Sequence, residues 1–314
     1  MKKKYQILKF YHYTAIKDPQ QTRENHYAFG VAHNLLGRIK IASEGINGTI
    51  SGLQKDCEAY IAFLKADSRF ANMMINMAPI GSHVHQKLHV RVRNEIVHAG
   101  LPNIIPSPDI KNRAYVQPAE FRKMLDDPNV VVIDVRSKHE YQLGTFENAI
   151  TFDIANFREL PEQLQNNQLP KDKKYVLVCT YGIRCEKARD YLKKSQQLPH
   201  LYHLQGGIVH YGQSTDGKGF AGVCYVFDER LTLLINQQTT AVSQCYHCQK
   251  SSYRMINCAN PECNMHMPLC EPCGKKLAGA CTLQCQQHPR KRPYDGSGYY
   301  GKPGILPTAS NEKA

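Results

Sequence analysis

The chain has 314 residues, enough for two or three domains, and an apolar fraction of 42% that supports at least one full core. No apolar run approaches bilayer length, and Lys9, His12 and Lys17 interrupt the apolar stretch that a signal peptide would need behind its basic opening; a cytoplasmic protein with no membrane partner is expected. The net charge of +13 is uneven: residues 1–95 carry 14 Lys+Arg against 7 Asp+Glu, 113–212 carry 14 against 12, and 213–314 carry 11 against 7, which suits a polyanion such as RNA at the two ends.

Residues 5–13 read as a strand, 19–36 as a helix with Tyr27, Val31 and Leu35 along one face, 37–52 as a hairpin turned on glycines, and 54–64 as a second helix. From 83 to 93, His83, His85, Lys87, His89, Arg91 and Arg93 alternate with Val84, Gln86, Leu88, Val90 and Val92, so a strand there has one basic face. The order β-α-β-β-α-β predicts a ferredoxin-like α+β domain over 1–98. Lys87, His89, Arg91 and Arg93 are its candidate RNA contacts, with a solvated edge strand as the alternative. The three histidines with Glu95 form a weaker metal candidate, since the cations on the same face would repel a metal ion.

Pro102, Pro106 and Pro108 mark a linker over 99–112. Strands and helices then alternate over 113–212, as in an α/β domain with a parallel sheet: a helix at 118–125, the continuous apolar strand Val130-Val131-Val132-Ile133-Asp134, a helix at 158–164, and a strand at 201–204. In its midst Val176-Leu177-Val178 leads into Cys179-Thr180-Tyr181-Gly182-Ile183-Arg184-Cys185, followed by Ala188, Tyr191 and Leu192 at helical spacing. A cysteine on a strand-to-helix turn meets curled backbone N–H groups and a helix N-terminus, both of which favour thiolate. Arg184 adds positive charge, Asp134 and Arg136 are expected to brace the loop, and Cys185 is either a resolving thiol or a small residue filling the helix start.

Eight of the 12 cysteines fall in four close pairs within 213–289: Cys245/Cys248, Cys258/Cys263, Cys270/Cys273 and Cys281/Cys285. Eight thiolates in so short a segment suit two structural Zn²⁺ sites. The spacing leaves open whether the pairs share metals in sequence or interleaved, and whether His266 or His288 replaces a cysteine. The tail, 290–314, mixes cations, tyrosines and glycines and is expected to be disordered, either solvated or stacking on unpaired bases.

Asp134-Val135-Arg136, Glu140, the 144–150 segment, the Cys179–Arg184 loop and Gly206-Gly207 resemble a rhodanese domain. The loop has the rhodanese length, one residue shorter than in the related dual-specificity cell-cycle phosphatases, which argues against a phosphatase. Ser43-Glu44-Gly45-Ile46-Asn47-Gly48-Thr49, the 90–97 strand, Ile183-Arg184-Cys185-Glu186-Lys187-Ala188, Cys224-Tyr225-Val226-Phe227-Asp228-Glu229-Arg230 and Asn257-Cys258-Ala259-Asn260-Pro261-Glu262-Cys263 are similar to the prokaryotic tRNA uridine-34 5-hydroxylase family over about residues 5–285. The resemblance implies O₂-dependent hydroxylation of the wobble uridine to 5-hydroxyuridine, with O₂ as co-substrate, an unidentified reductant and the tRNA anticodon stem-loop, not DNA, as partner. Tyr181 departs from the family, which usually has a second glycine there. A sulfurtransferase carrying a persulfide on Cys179 and a non-catalytic RNA-binding module are the alternatives.

Overall fold

The computed structural model describes residues 4–107, 114–238 and 240–298, and the chain forms two units, Met1–Thr240 and Ala241–Ala314. The first begins with β1 (Tyr5–Tyr13), α1 (Pro19–Ala32), β2 (Leu36–Ala42), β3 (Gly45–Leu53), α2 (Gln54–Ala66), β4 (Ile75–Ile80) and β5 (Leu88–Val92). The sheet runs β4-β1-β3-β2-β5, with β1 antiparallel to β3 and β4. One face buries Leu8, Phe10, Ile39, Ile41, Ile46 and Ile50 against Tyr60 and Leu64 of α2. This is the expected ferredoxin-like arrangement, but its fourth strand is β4, not residues 83–93.

Only Leu88–Val92 of that stretch is extended, as an extra edge strand parallel to β2. His83 and His85 lie in the loop before it, with His85 buried and Arg91 exposed, so the three histidines do not share an outward face and the metal set does not form. Pro79 sits in β4, an edge strand, where a missing backbone N–H is tolerated.

Helix α1 starts where Asp18 accepts the Gln21 N–H at 2.8 Å and Pro19 occupies the first turn. Its buried face is Thr22, His26 and Gly30; of the expected face, Tyr27 and Val31 turn outward at 41% and 54% exposed, while Leu35 is buried beyond the end of the helix. His26 is tolerated inside because its Nδ1 lies 2.7 Å from the Tyr60 hydroxyl.

The central domain comprises β6 (Tyr115–Val116), α3 (Pro118–Met124), β7 (Val130–Asp134), α4 (Lys138–Tyr141), β8 (Gly144–Phe146), β9 (Ile150–Thr151), a 3₁₀ turn at Phe157–Glu159, α5 (Leu160–Asn166), β10 (Lys174–Val178), α6 (Ile183–Ser195), β11 (Leu201–Leu204) and α7 (Gly207–Ser214). Its parallel sheet is ordered β6-β11-β10-β7-β9. Alternate residues of β10 enter cores on opposite faces, Tyr175 and Leu177 on one and Val176 and Val178 on the other, which is why the strand reads as unbroken apolar sequence. Strands β12 (Phe220–Tyr225) and β13 (Thr232–Leu234) fall within the span assigned from sequence to the cysteine-rich module, yet β12 pairs with β8 of the central domain. Residues 108–112 of the expected linker, and Arg113 after it, lie outside the described residues.

The second unit builds a hairpin, β14 (Met255–Asn257) and β15 (His266–Pro268), and two short helices, α8 (Glu271–Lys276) and α9 (Leu283–Gln286), around Ile256, Met267, Leu269, Ala280 and cysteine thiols. The start of the expected disordered tail is ordered: Arg292 bonds the Cys258 carbonyl at 2.6 Å and Tyr294 accepts from Arg254 at 2.7 Å. Residues 299–314 of that tail lie outside the described residues. Among the described residues, no helix is long and apolar enough to cross a membrane.

Candidate active site

Strand β10 ends at Val178 and helix α6 begins at Ile183, so Cys179 to Gly182 form the connecting turn. Gly182 adopts φ +97°, a conformation that side chains resist, and this lets its N–H fold back to the Cys179 Sγ at 3.1 Å. The carbonyls of Cys179 and Thr180 accept the N–H groups of Ile208 and Val209 at 2.9 and 3.2 Å, which turns the Thr180 and Tyr181 amides away from α7. Gly207 makes that packing possible: a Cβ there would lie 2.4 Å from the Cys179 carbonyl oxygen and 2.7 Å from the Tyr181 nitrogen.

Cys179 is 1% exposed. Burial alone would raise its pKa, but the Cys185 thiol, the Arg184 charge and the amides of Cys185 and Gly182 outweigh it and bring Cys179 down to about 6. Cys185 moves the other way, well above the usual thiol range, because it is buried and donates to the Cys179 sulfur. The two sulfurs are therefore driven in opposite directions, Cys179 toward thiolate and Cys185 toward thiol.

Arg184 is held by Glu140, which receives two hydrogen bonds from it at 2.6 and 2.7 Å; Arg184 also reaches the Thr180 hydroxyl at 3.1 Å. Despite burial, the Glu140 carboxyl is held far below the usual carboxylate range by Arg184. Asp134 and Arg136 do not touch the loop in this way. They pair with each other at 2.6 Å, fully buried, and Arg136 bonds the Gly144 carbonyl and approaches Cys224, which ties β7 to β8 and β12. Their link to the loop is the Val135 N–H on the Val178 carbonyl. Glu140 is thus the bracing residue, and its place in the quoted rhodanese pattern was the signal for it.

Helix α6 is fixed to the N-terminal domain. Lys187, 0% exposed, pairs with Glu44 at 2.7 Å and Glu95 at 2.9 Å. Tyr13 donates to the Ile183 carbonyl at 3.4 Å, and the Tyr11 hydroxyl lies against Gly182. Lys9 reaches Asp228 at 3.1 Å while its ammonium sits 3.9 Å over the Tyr181 ring; burial lowers its pKa to about 8. One face of the Tyr181 ring is therefore covered by a cation of this chain.

A cavity of about 550 Å³ opens between these elements. Cys179, Thr180, Tyr181, Ile183 and Arg184 line one side, with His139, His210 and the half-exposed Phe227; Lys9, Tyr11, Arg38 and Lys40 line the N-terminal side. Lys87, His89, Arg91 and Arg93, the cations proposed from the alternating stretch, are outside the lining, and Arg38 and Lys40 on the neighbouring β2 take their place.

In the second unit the cysteines assemble as Cys245, Cys248, Cys270 and Cys273 in one set and Cys258, Cys263, Cys281 and Cys285 in the other, with the four sulfurs of each within 4.8 Å of one another. The pairing is interleaved, and His266 and His288 belong to neither set. A tetrahedral ion with metal–sulfur bonds of about 2.3 Å separates its sulfurs by about 3.8 Å. The Cys248–Cys270, Cys263–Cys281 and Cys281–Cys285 sulfurs are each 3.6 Å apart, so both sets could hold a metal.

Three family descriptions match successive parts of the chain: a UPF0176 acylphosphatase like domain over residues 5–96, a rhodanese-like domain over 117–214 and a rhodanase C-terminal region over 221–286. A tRNA uridine(34) hydroxylase of Cytophaga hutchinsonii is 46% identical over 301 residues, covering 96% of each chain. One from Staphylococcus aureus is 42% identical over 292 residues, covering 92% of this chain and 91% of its own. At this identity over nearly the full length, the chain belongs to the tRNA uridine(34) hydroxylase family.

Proposed function

We infer that the protein hydroxylates uridine 34 of tRNA to 5-hydroxyuridine, acting in the cytoplasm, where its substrate is. The observation that carries this reading is Cys179: a thiolate-favouring cysteine on the wall of a cavity wide enough for one nucleobase and rich in cations on its other side. The wobble base lies in an unpaired loop, so little energy is needed to swing it out and insert it.

Cys179 is the nucleophile in this reading. Addition of its thiolate to C6 of uracil makes C5 electron-rich, and O₂ reacts there. The balance is one O₂, two electrons and two protons per C5–H converted to C5–OH, with one water formed and the thiolate released; the electrons come from an external two-electron donor. The Gly182 and Cys185 amides, the Cys185 thiol and Arg184 hold the negative charge at the loop, and Glu140 keeps Arg184 in place. The two cysteine sets suit structural Zn²⁺: four thiolates close each site and leave no position for substrate.

Mass analysis of tRNA nucleosides from cells with and without the gene is the test. The expected result is loss of 5-hydroxyuridine on deletion, restored by the wild-type gene and not by Cys179→Ser. An unchanged 5-hydroxyuridine level would sink the reading, and a one-sulfur mass gain on Cys179 that passes to an acceptor without O₂ would replace it with a sulfurtransferase.

A further inference from the structure

The face of the N-terminal sheet that is turned away from α1 and α2 is polar, and strand register orders it into two rows. Across β4, β1, β3, β2 and β5, Asn76 pairs with Lys9, Lys9 with Thr49, Thr49 with Arg38, and Arg38 with His89. Two residues along, Tyr11 pairs with Asn47, Asn47 with Lys40, and Lys40 with Arg91. Paired residues point to the same side of a sheet, so each row is continuous. The inner ends meet the Cys179 loop, where Lys9 lies over Tyr181 and Tyr11 touches Gly182. The outer ends reach the exposed edge at β5, three strand spacings or about 14 Å away.

Charge pairing changes along this path. The deep cations all have carboxylates: Lys9 has Asp228, Arg184 has Glu140, and Lys187 has Glu44 and Glu95. The outer cations Arg38, Lys40 and Arg91 are exposed, and among the described residues none of them forms an ion pair. Lys40 is instead lowered by partial burial and by repulsion from Arg93 and Arg38. Glu229 attracts Arg38 through space without an ion-pair contact, so the repulsion around Lys40 is open to further relief by an anion from outside. On the opposite lining, Phe227 is 50% exposed beside Arg184, whose guanidinium is 5.4 Å from its ring.

We propose that Arg38, Lys40 and Arg91 form a phosphate track that leads an unpaired RNA strand to Cys179, with Phe227 as the platform on which a base of that strand stacks. This rests on the RNA reading of the site and names the residues that would position the substrate. RNA-recognition sheets of similar topology seat two or three bases across their strands, and the track has that reach.

Binding of a tRNA anticodon stem-loop to the full chain, followed through a salt titration, tests it. Arg38→Gln, Lys40→Gln and Arg91→Gln should each weaken binding several-fold and lower the log–log salt slope by about 0.7, the single-strand value per phosphate contact. The loss should be the same for a loop in which uridine 34 is replaced by cytidine, because phosphate contacts carry no base information. Phe227→Ala should weaken binding by about tenfold at an unchanged slope, with recovery in Phe227→Tyr. Melting temperature serves as the folding control, and Lys40→Arg, which keeps the charge, should keep the slope. Unchanged slopes in all three glutamine variants would overturn the track. Formation of 5-hydroxyuridine by the wild-type chain on whole tRNA is scored separately, so loss of the track and loss of the hydroxylase reading give different results.

Discussion

Replacing Cys185 by alanine tests how the Cys179 thiolate is held. The Cys185 thiol is the chief force opposing the burial of Cys179, ahead of Arg184 and the loop amides, which together place Cys179 at about 6. A hydrogen bond to a charged group contributes about 1.5–3 kcal/mol, and a thiol is a weak donor, so the lower end applies. At about 1.4 kcal/mol per unit, the inflection should move up by about one unit, to near pH 7. At pH 6 the thiolate fraction then falls from about one half to about one tenth. The assay is alkylation by iodoacetamide from about pH 4.5 to about pH 9, read by mass spectrometry on the Cys179 peptide because eleven of the 12 cysteines are elsewhere. The inflection point is the observable, since a more basic thiolate is intrinsically more nucleophilic and partly masks the change in rate. Reactivity should rise with pH through about 6 in the wild type, and Cys185→Ser, which keeps a donor, should shift less than Cys185→Ala. A wild-type inflection at or above 8, or no shift in Cys185→Ala, refutes the argument.

Lys187→Met should cost about 3–5 kcal/mol in urea unfolding, because it strands Glu44 and Glu95 in the interior, and the added changes Glu44→Gln and Glu95→Gln should recover part of it. A loss below about 1 kcal/mol would show that water reaches the cluster. Gly207→Ala should abolish the low-pH alkylation of Cys179 while leaving metal content intact, since the new methyl meets the carbonyl of Cys179 and the residue sits at φ +69°; wild-type alkylation in that variant counts against the packing described. Metal analysis of the purified chain should give two Zn²⁺ per chain, and chelation should unfold the second unit as seen by loss of protection at Cys258 and Cys281. One metal per chain would contradict the assignment of two four-cysteine sites.

What was legible in the sequence was short-range. The loop from Cys179 to Arg184 and the four cysteine pairs are complete within a few residues, and each carries its chemistry in its spacing. Interleaving of the pairs was not legible, since it depends on how β14, β15 and α8 bring Cys245 to Cys270 and Cys258 to Cys281. The phase of α1 was misread because its buried face holds Thr22, His26 and Gly30, residues that hydrophobic periodicity does not count, while Tyr27 and Val31 are exposed. Strand β4 is hard to read from sequence because it contains Pro79, which only an edge position tolerates. The alternation from 83 to 93 looked like one strand, but the segment before Leu88 is a loop that buries Val84 and His85. The Lys187 cluster joins residues 143 apart, and although Glu44, Glu95 and Lys187 all stood in recognised motifs, nothing local paired them.

That cluster bears on the choice between chemistries. In a rhodanese domain standing alone, the Cys179 loop would face solvent and a partner protein could deliver or collect sulfur directly. Here Lys187 locks α6 to Glu44 and Glu95, Tyr11 lies against Gly182, and Lys9 lies over Tyr181, so the N-terminal sheet is the second wall of the site. Cys179 is left 1% exposed, reached through a cavity of about 550 Å³. A protein loop carrying a persulfide is a poor fit to such an opening, whereas a single base drawn out of an RNA loop is flat, small and followed by phosphates that the unpaired cations at the mouth can hold. The domain that narrows access to Cys179 is the same one that supplies Arg38 and Lys40, and on this ground the architecture favours base chemistry over sulfur transfer.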